Sequence, residues 1–110
     1  MAELKLFCIV KGDSSSFSVT LSLMKSVDDL KKDINNELRL NTPSKDLTLW
    51  KDNNILLVDA KKDVSLLQNV IDNTPSLEED ADISAVFPPP EGARKGKLHI
   101  IVLPPPQGIS

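Results

Sequence analysis

The sequence predicts an α+β domain, with a mixed sheet of about four to five strands and one main helix on one face. Three observations carry this. Residues 4–10, a mostly apolar strand-like run, and residues 17–23, which alternate apolar with polar side chains, flank a Gly-Asp-Ser-Ser-Ser turn, the signature of a hairpin. Residues 27–38 instead place Val27, Leu30, Ile34 and Leu38 at spacings of three and four, the period of a helix with one apolar stripe. Two more strand-like runs follow, residues 47–51 and 97–103, separated by enough chain for a crossover to a parallel neighbour.

Each element has local reasons. In the first strand Leu4, Leu6, Cys8 and Val10 share one face and Lys5, Phe7 and Ile9 the other, so both faces are mostly apolar, as in mid-sheet. In the second, Phe17, Val19, Leu21 and Leu23 point inward while Ser18, Thr20 and Ser22 point to water. Ser26 is placed to cap the helix by accepting the amide of the third helical residue, and Asp28 and Asp29 favour the positive end of its dipole. Asp28 also lies four residues before Lys32, on the wet side. Pro43 cannot continue the helix, so residues 40–44 form its exit. Leu47-Thr-Leu-Trp-Lys51 is the third strand and holds the only tryptophan; Asn53-Asn54 turns the chain into a short apolar piece, residues 55–58. Asp63 is placed to cap a short helix with Val64, Leu67 and Ile71 on one face, which Pro75 ends. Residues 78–82 are an acidic, solvated run, and Ile83, Val86 and Phe87 return to the core as a helical turn. Residues 88–96 read as a stiff, then flexible loop, and the prolines from Pro104 end the ordered chain; both proline triplets read as loop and stop signals ahead of polyproline ligands.

With 110 residues there is room for one core and one domain. A net charge of -3 offers no basic field for phosphates, so nucleic acid is not expected as a partner of this domain. One cysteine and one histidine supply neither an intrachain disulfide nor a zinc ligand set, and no cofactor or metal is expected. The run at residues 4–10 is interrupted by Lys5 and followed by no small-residue cleavage site, so it reads as a strand and not as a leader. No apolar run approaches the roughly 20 residues that cross a bilayer.

A Cys-His nucleophile pair would have to combine Cys8 with His99, which lie at opposite phases of alternation and so point to opposite faces. The four glycines stand apart in turns and form no phosphate loop. No catalytic residue is expected.

Hairpin, helix, strand, irregular segment and final strand together follow the order of a β-grasp, or ubiquitin-like, domain, with strand order two, one, last, three. Leu4-Lys-Leu-Phe-Cys-Ile-Val10, Phe17-Ser-Val19, Ser26-Val-Asp-Asp-Leu-Lys31, Lys45-Asp-Leu-Thr-Leu-Trp50, Ile83-Ser-Ala-Val-Phe-Pro88 and His99-Ile-Ile-Val102 resemble, in this order, the amino-terminal domain of the Crinkler effectors of filamentous microbes. The resemblance implies a ubiquitin-like trafficking and translocation domain, residues 1–104, with residues 105–110 a tail or the start of a linker to a carboxy-terminal effector domain. It also implies secretion by a route without an evident leader, followed by action in a host cell, often in its nucleus, in symbiosis or virulence. Leu47, Thr48, Leu49, Trp50 and Lys51 occupy the place of the oomycete Leu-Phe-Leu-Ala-Lys motif without spelling it, and are more similar to the variant of fungal members. The carboxy-terminal residues lack the Gly-Gly tail of conjugated modifiers, so a modifier is not expected.

The rival reading is an intracellular, cytoplasmic ubiquitin-like adaptor or scaffold that binds protein partners in its own cell. Under either reading the partner is protein, and alternation nominates a surface. The inward phase takes Leu6, Cys8, Val10, Val19, Leu21, Leu47, Leu49, Leu98, Ile100 and Val102. The opposite phase then places Phe7, Ile9, Thr48, Trp50, His99 and Ile101 together on the sheet face that the helix leaves uncovered. An apolar patch of that kind marks a protein-interaction site, a homodimer being its simplest use. Two alternatives for the same residues are that the loop at residues 88–90 folds back over them, or that Trp50 packs into the core edge.

Overall fold

A computed structural model describes residues 3–11, 16–39, 46–52, 55–88 and 96–104. Residues 12–15, 40–45, 53–54, 89–95 and 105–110 lie outside the described residues, and with them the expected helix exit at 40–44, the Asn53-Asn54 turn, most of the expected first turn and of the loop at 88–96, and the tail.

Among the described residues eight elements follow one another: β1 (Glu3–Val10), β2 (Ser16–Ser22), α1 (Val27–Leu38), β3 (Thr48–Lys51), α2 (Leu57–Lys62), α3 (Val64–Asn73), α4 (Ile83–Val86) and β4 (Ile100–Leu103). The strands form one four-stranded mixed sheet in the order β2-β1-β4-β3. β1 and β2 are an antiparallel hairpin, β1 and β4 run parallel at the centre, and β3 is antiparallel to β4. This is the β-grasp-like α+β fold that the pattern predicts. Third-strand pairing begins at Thr48, one residue after the expected start.

α1 occupies the span that its period predicts. Its capping box is complete: the Asp29 amide donates to Ser26 Oγ at 3.4 Å, and the Ser26 amide donates to Asp29 Oδ2 at 3.2 Å. That backbone donor is the main reason the Asp29 carboxyl is held below the usual carboxylate range. The two amides ahead of it are satisfied from a distance. Val27 donates to the Ala81 carbonyl at 2.8 Å and Asp28 to the Glu79 carbonyl at 3.0 Å, so the acidic run presents its side chains to water while its backbone closes the helix start. Lys31, buried on the helix, pairs with Glu79 at 3.5 Å, and Lys32 pairs with Asp28 at 3.3 Å on the wet side.

The core on the α1 side joins Val27, Leu30 and Ile34 to Leu6, Cys8, Val19, Leu21, Leu47, Leu49, Ile100 and Val102, with Ile83, Val86 and Phe87 closing it. Leu30 has no exposed surface. Leu30→Ala is expected to cost roughly 2–5 kcal/mol by urea unfolding, from lost burial plus the cavity left behind; a loss inside about 0.5 kcal/mol would place Leu30 at the surface.

The sheet face that the main helix, α1, leaves uncovered carries a second cluster. Ile9, Trp50, Leu98 and Ile101 pack with Ala60 of α2 and Leu67 of α3, and Ile55, Leu57, Val70 and Ile71 fill the margins. The reason is hydrophobic: a central sheet with apolar residues on both faces leaves one face wet unless a second layer covers it. The apolar piece at residues 55–58 thus leads into a helix. Of the stripe expected on the short helix, Leu67 is buried and Ile71 half-buried, but Val64 is exposed on the first turn and Val70 takes its place. Leu98, expected on the α1 side, belongs to this second cluster, because regular pairing of β4 starts only at Ile100 and the Leu98 amide is held by the Ile55 carbonyl at 2.8 Å.

Candidate functional site

The six residues nominated for an open, partner-binding sheet face are drawn together by the sheet, but not as a surface. Ile9 and Trp50 both stand opposite Ile101 in register, so the three form a row across β1, β4 and β3. Ile9 and Ile101 have no exposed surface and Trp50 is 7% exposed, beneath α2 and α3. Ile9, Trp50 and Ile101 are therefore covered by the protein's own second layer. Of the two alternatives, the loop at residues 88–90 lies largely outside the described residues, and Trp50 does pack into a core, the second cluster, near the end of β3. Thr48 and Phe7 are half-buried.

His99 is buried as well and has a structural role. Its backbone amide donates to the Phe7 carbonyl at 3.0 Å, and its Nδ1 accepts the Phe7 amide at 2.9 Å, so side chain and main chain together extend the parallel ladder by one rung. An accepting Nδ1 puts the neutral ring's proton on Nε2. The Phe7 and Phe87 rings flank it, each with centroids 5.9 Å away. Lys5 and Lys51 lie over those two phenyl faces at 5.4 Å. Cys8 lies in the other cluster, its Sγ against the Leu6 carbonyl at 3.7 Å, and burial pushes its thiol far above the ordinary range. Burial thus disfavours the Cys8 thiolate, and the Phe7 amide occupies His99 Nδ1.

The strand at 47–51 is similarly internal. Leu47, Leu49 and Trp50 are buried, split between the two clusters, and only Thr48 and Lys51 keep partial exposure. Its outer edge is also engaged, since the Leu77 amide donates to the Leu49 carbonyl at 2.8 Å.

An accessible groove lies at the opposite edge. A groove of about 270 Å³ runs between β2 and α1, lined by Ser18, Val19, Thr20, Asp33, Asn36 and Glu37. Sequence reasoning passed over it, although Asp33 and Glu37, four residues apart on the helix, carry the signal of a like-charged pair on one face. Among the described residues no helix is long and apolar enough to cross a membrane.

Comparison with curated proteins and with solved structures finds no match. The family model described as Crinkler effector protein N-terminal domain matches residues 4–103, from the start of β1 to the end of β4. Both clusters, both faces of the sheet and all four helices fall inside that span, and this chain therefore belongs to the Crinkler effector N-terminal domain family.

Proposed function

We propose that this chain is a non-catalytic, ubiquitin-like delivery domain that directs a carboxy-terminal effector domain out of the producing cell and into a host cell. The observation that carries the reading is the family match along residues 4–103. Two features of the chain support it. The Cys8 thiol is buried and kept protonated, and His99 is held in the sheet by backbone, so neither is poised for nucleophilic or acid–base chemistry. The motif-like strand at 47–51 buries its large side chains, so a receptor that meets the folded domain reads Thr48, Lys51 and surfaces outside that strand.

The test is a fusion and a deletion, both expressed in the organism that makes the effector. Residues 1–110 fused to an inert fluorescent reporter should carry the reporter into host cells, and deletion of this segment from the effector should abolish its delivery. The effector domain produced directly inside host cells should keep its activity. A reporter retained in the producing cell would favour the adaptor reading, and delivery of an effector lacking residues 1–110 would end the targeting role.

A further inference from the structure

The geometry points to the β2–α1 groove as a docking site for an extended, basic polypeptide segment that adds a strand to the open edge of β2. Of the two sheet edges, β3 is engaged by the Leu77 amide, whereas β2 has β1 as its one neighbour among the described residues. Alternate residues of β2 therefore turn their amide and carbonyl groups away from the sheet, a ready template for another strand. The groove beside that edge is lined by Ser18, Val19 and Thr20 from the strand and by Asp33, Asn36 and Glu37 from the helix.

Charge selects the occupant. Asp33 and Glu37 are neighbours on one helix face, and neither forms an ion pair with the described residues, whose pairs are Lys31 with Glu79 and Lys32 with Asp28. Like charges in this relation repel and cost helix stability, so a cation set between them relieves an existing strain. Spacing agrees with a strand. Four helical residues rise by about 6 Å, and alternate residues of a strand are about 6.6 Å apart. An extended segment paired with β2 turns alternate side chains toward the α1 side of the sheet, so lysines or arginines at those positions can meet Asp33 and Glu37 across the groove. Peptide capture at this edge is independent of the delivery role, and each can fail with the other intact.

Fluorescence anisotropy with the full chain tests it, using a labelled eight-residue peptide of alternating lysine and valine as the probe. Binding is expected, weakening as salt rises, and lost when lysine is exchanged for glutamate or when alternate peptide amides are N-methylated. The double variant Asp33→Asn, Glu37→Gln, at accessible helix positions, should weaken binding by about five- to ten-fold, the size expected of two solvent-exposed charge pairs. Amide shifts on titration should concentrate at residues 16–20 and 33–37. Absence of binding, equal binding by the N-methylated peptide, an unaffected double variant, or shifts centred elsewhere would each overturn the assignment.

Discussion

Ile101→Glu is expected to leave the domain without a cooperative folding transition at neutral pH. Ile101 has no exposed surface, stands between Ile9 and Trp50 in the sheet, and is covered by Ala60 and Leu67. The side chains clustered with it, Ile9, Trp50, Ala60, Leu67 and Leu98, offer a carboxylate no hydrogen bond beyond the indole N–H. An uncompensated buried charge costs several kcal/mol, of the order of the whole 5–15 kcal/mol by which a small domain is stable. Burial also raises the pKa of a carboxyl group, so the penalty should shrink as acidification neutralises the introduced side chain. Circular dichroism melts at neutral and mildly acidic pH would check both parts, with Ile101→Val as a control expected to cost about 0.5–1.5 kcal/mol. A variant that melts like the wild type at neutral pH would mean that the second layer does not cover this face.

Trp50→Ala is expected to cost about 3–5 kcal/mol in urea unfolding, the range for truncating a large buried aromatic. Trp50 is on β3, away from the α1 core, and what it loses is contact with the cluster of Ile9, Ala60, Leu67, Leu98 and Ile101. Being the chain's one tryptophan, it also reports on itself: wild-type emission should move to longer wavelength on unfolding. This bears on any delivery assay that targets the strand. A defect produced by Trp50→Ala should follow loss of fold and be largely restored by Trp50→Phe, which keeps an apolar ring in the site. A loss inside about 0.5 kcal/mol, the surface range, would instead return Trp50 to the solvent.

Local periodicity and end chemistry were enough to read much of the fold from the residues. α1 could be delimited from its own stripe and from Ser26 and Asp29, because capping and the 3.6-residue period act within a few positions of one another. The phases of β1, β2 and β3 were readable for the same reason: alternation puts Cys8 and Ile9, or Leu49 and Trp50, on opposite faces wherever the strand goes. Strand order followed from the hairpin, the crossover and the apolar last strand, and family membership from motifs spread along the chain. What alternation does not contain is the identity of the layer on each face. The sequence marks Ile9, Trp50 and Ile101 as sharing a side; only the packing of α2 and α3 decides that this side is a second core and not a surface. That decision is non-local, as is the closure of the α1 start by the carbonyls of Glu79 and Ala81, about fifty residues away, and the placing of Leu98 by Ile55. The groove at β2 belongs to the same class. Asp33 and Glu37 are plain in the sequence as a like-charged helical pair, but their meeting with an open strand edge exists only once the sheet is ordered with β2 outermost, because an edge is a property of neighbours and not of residues.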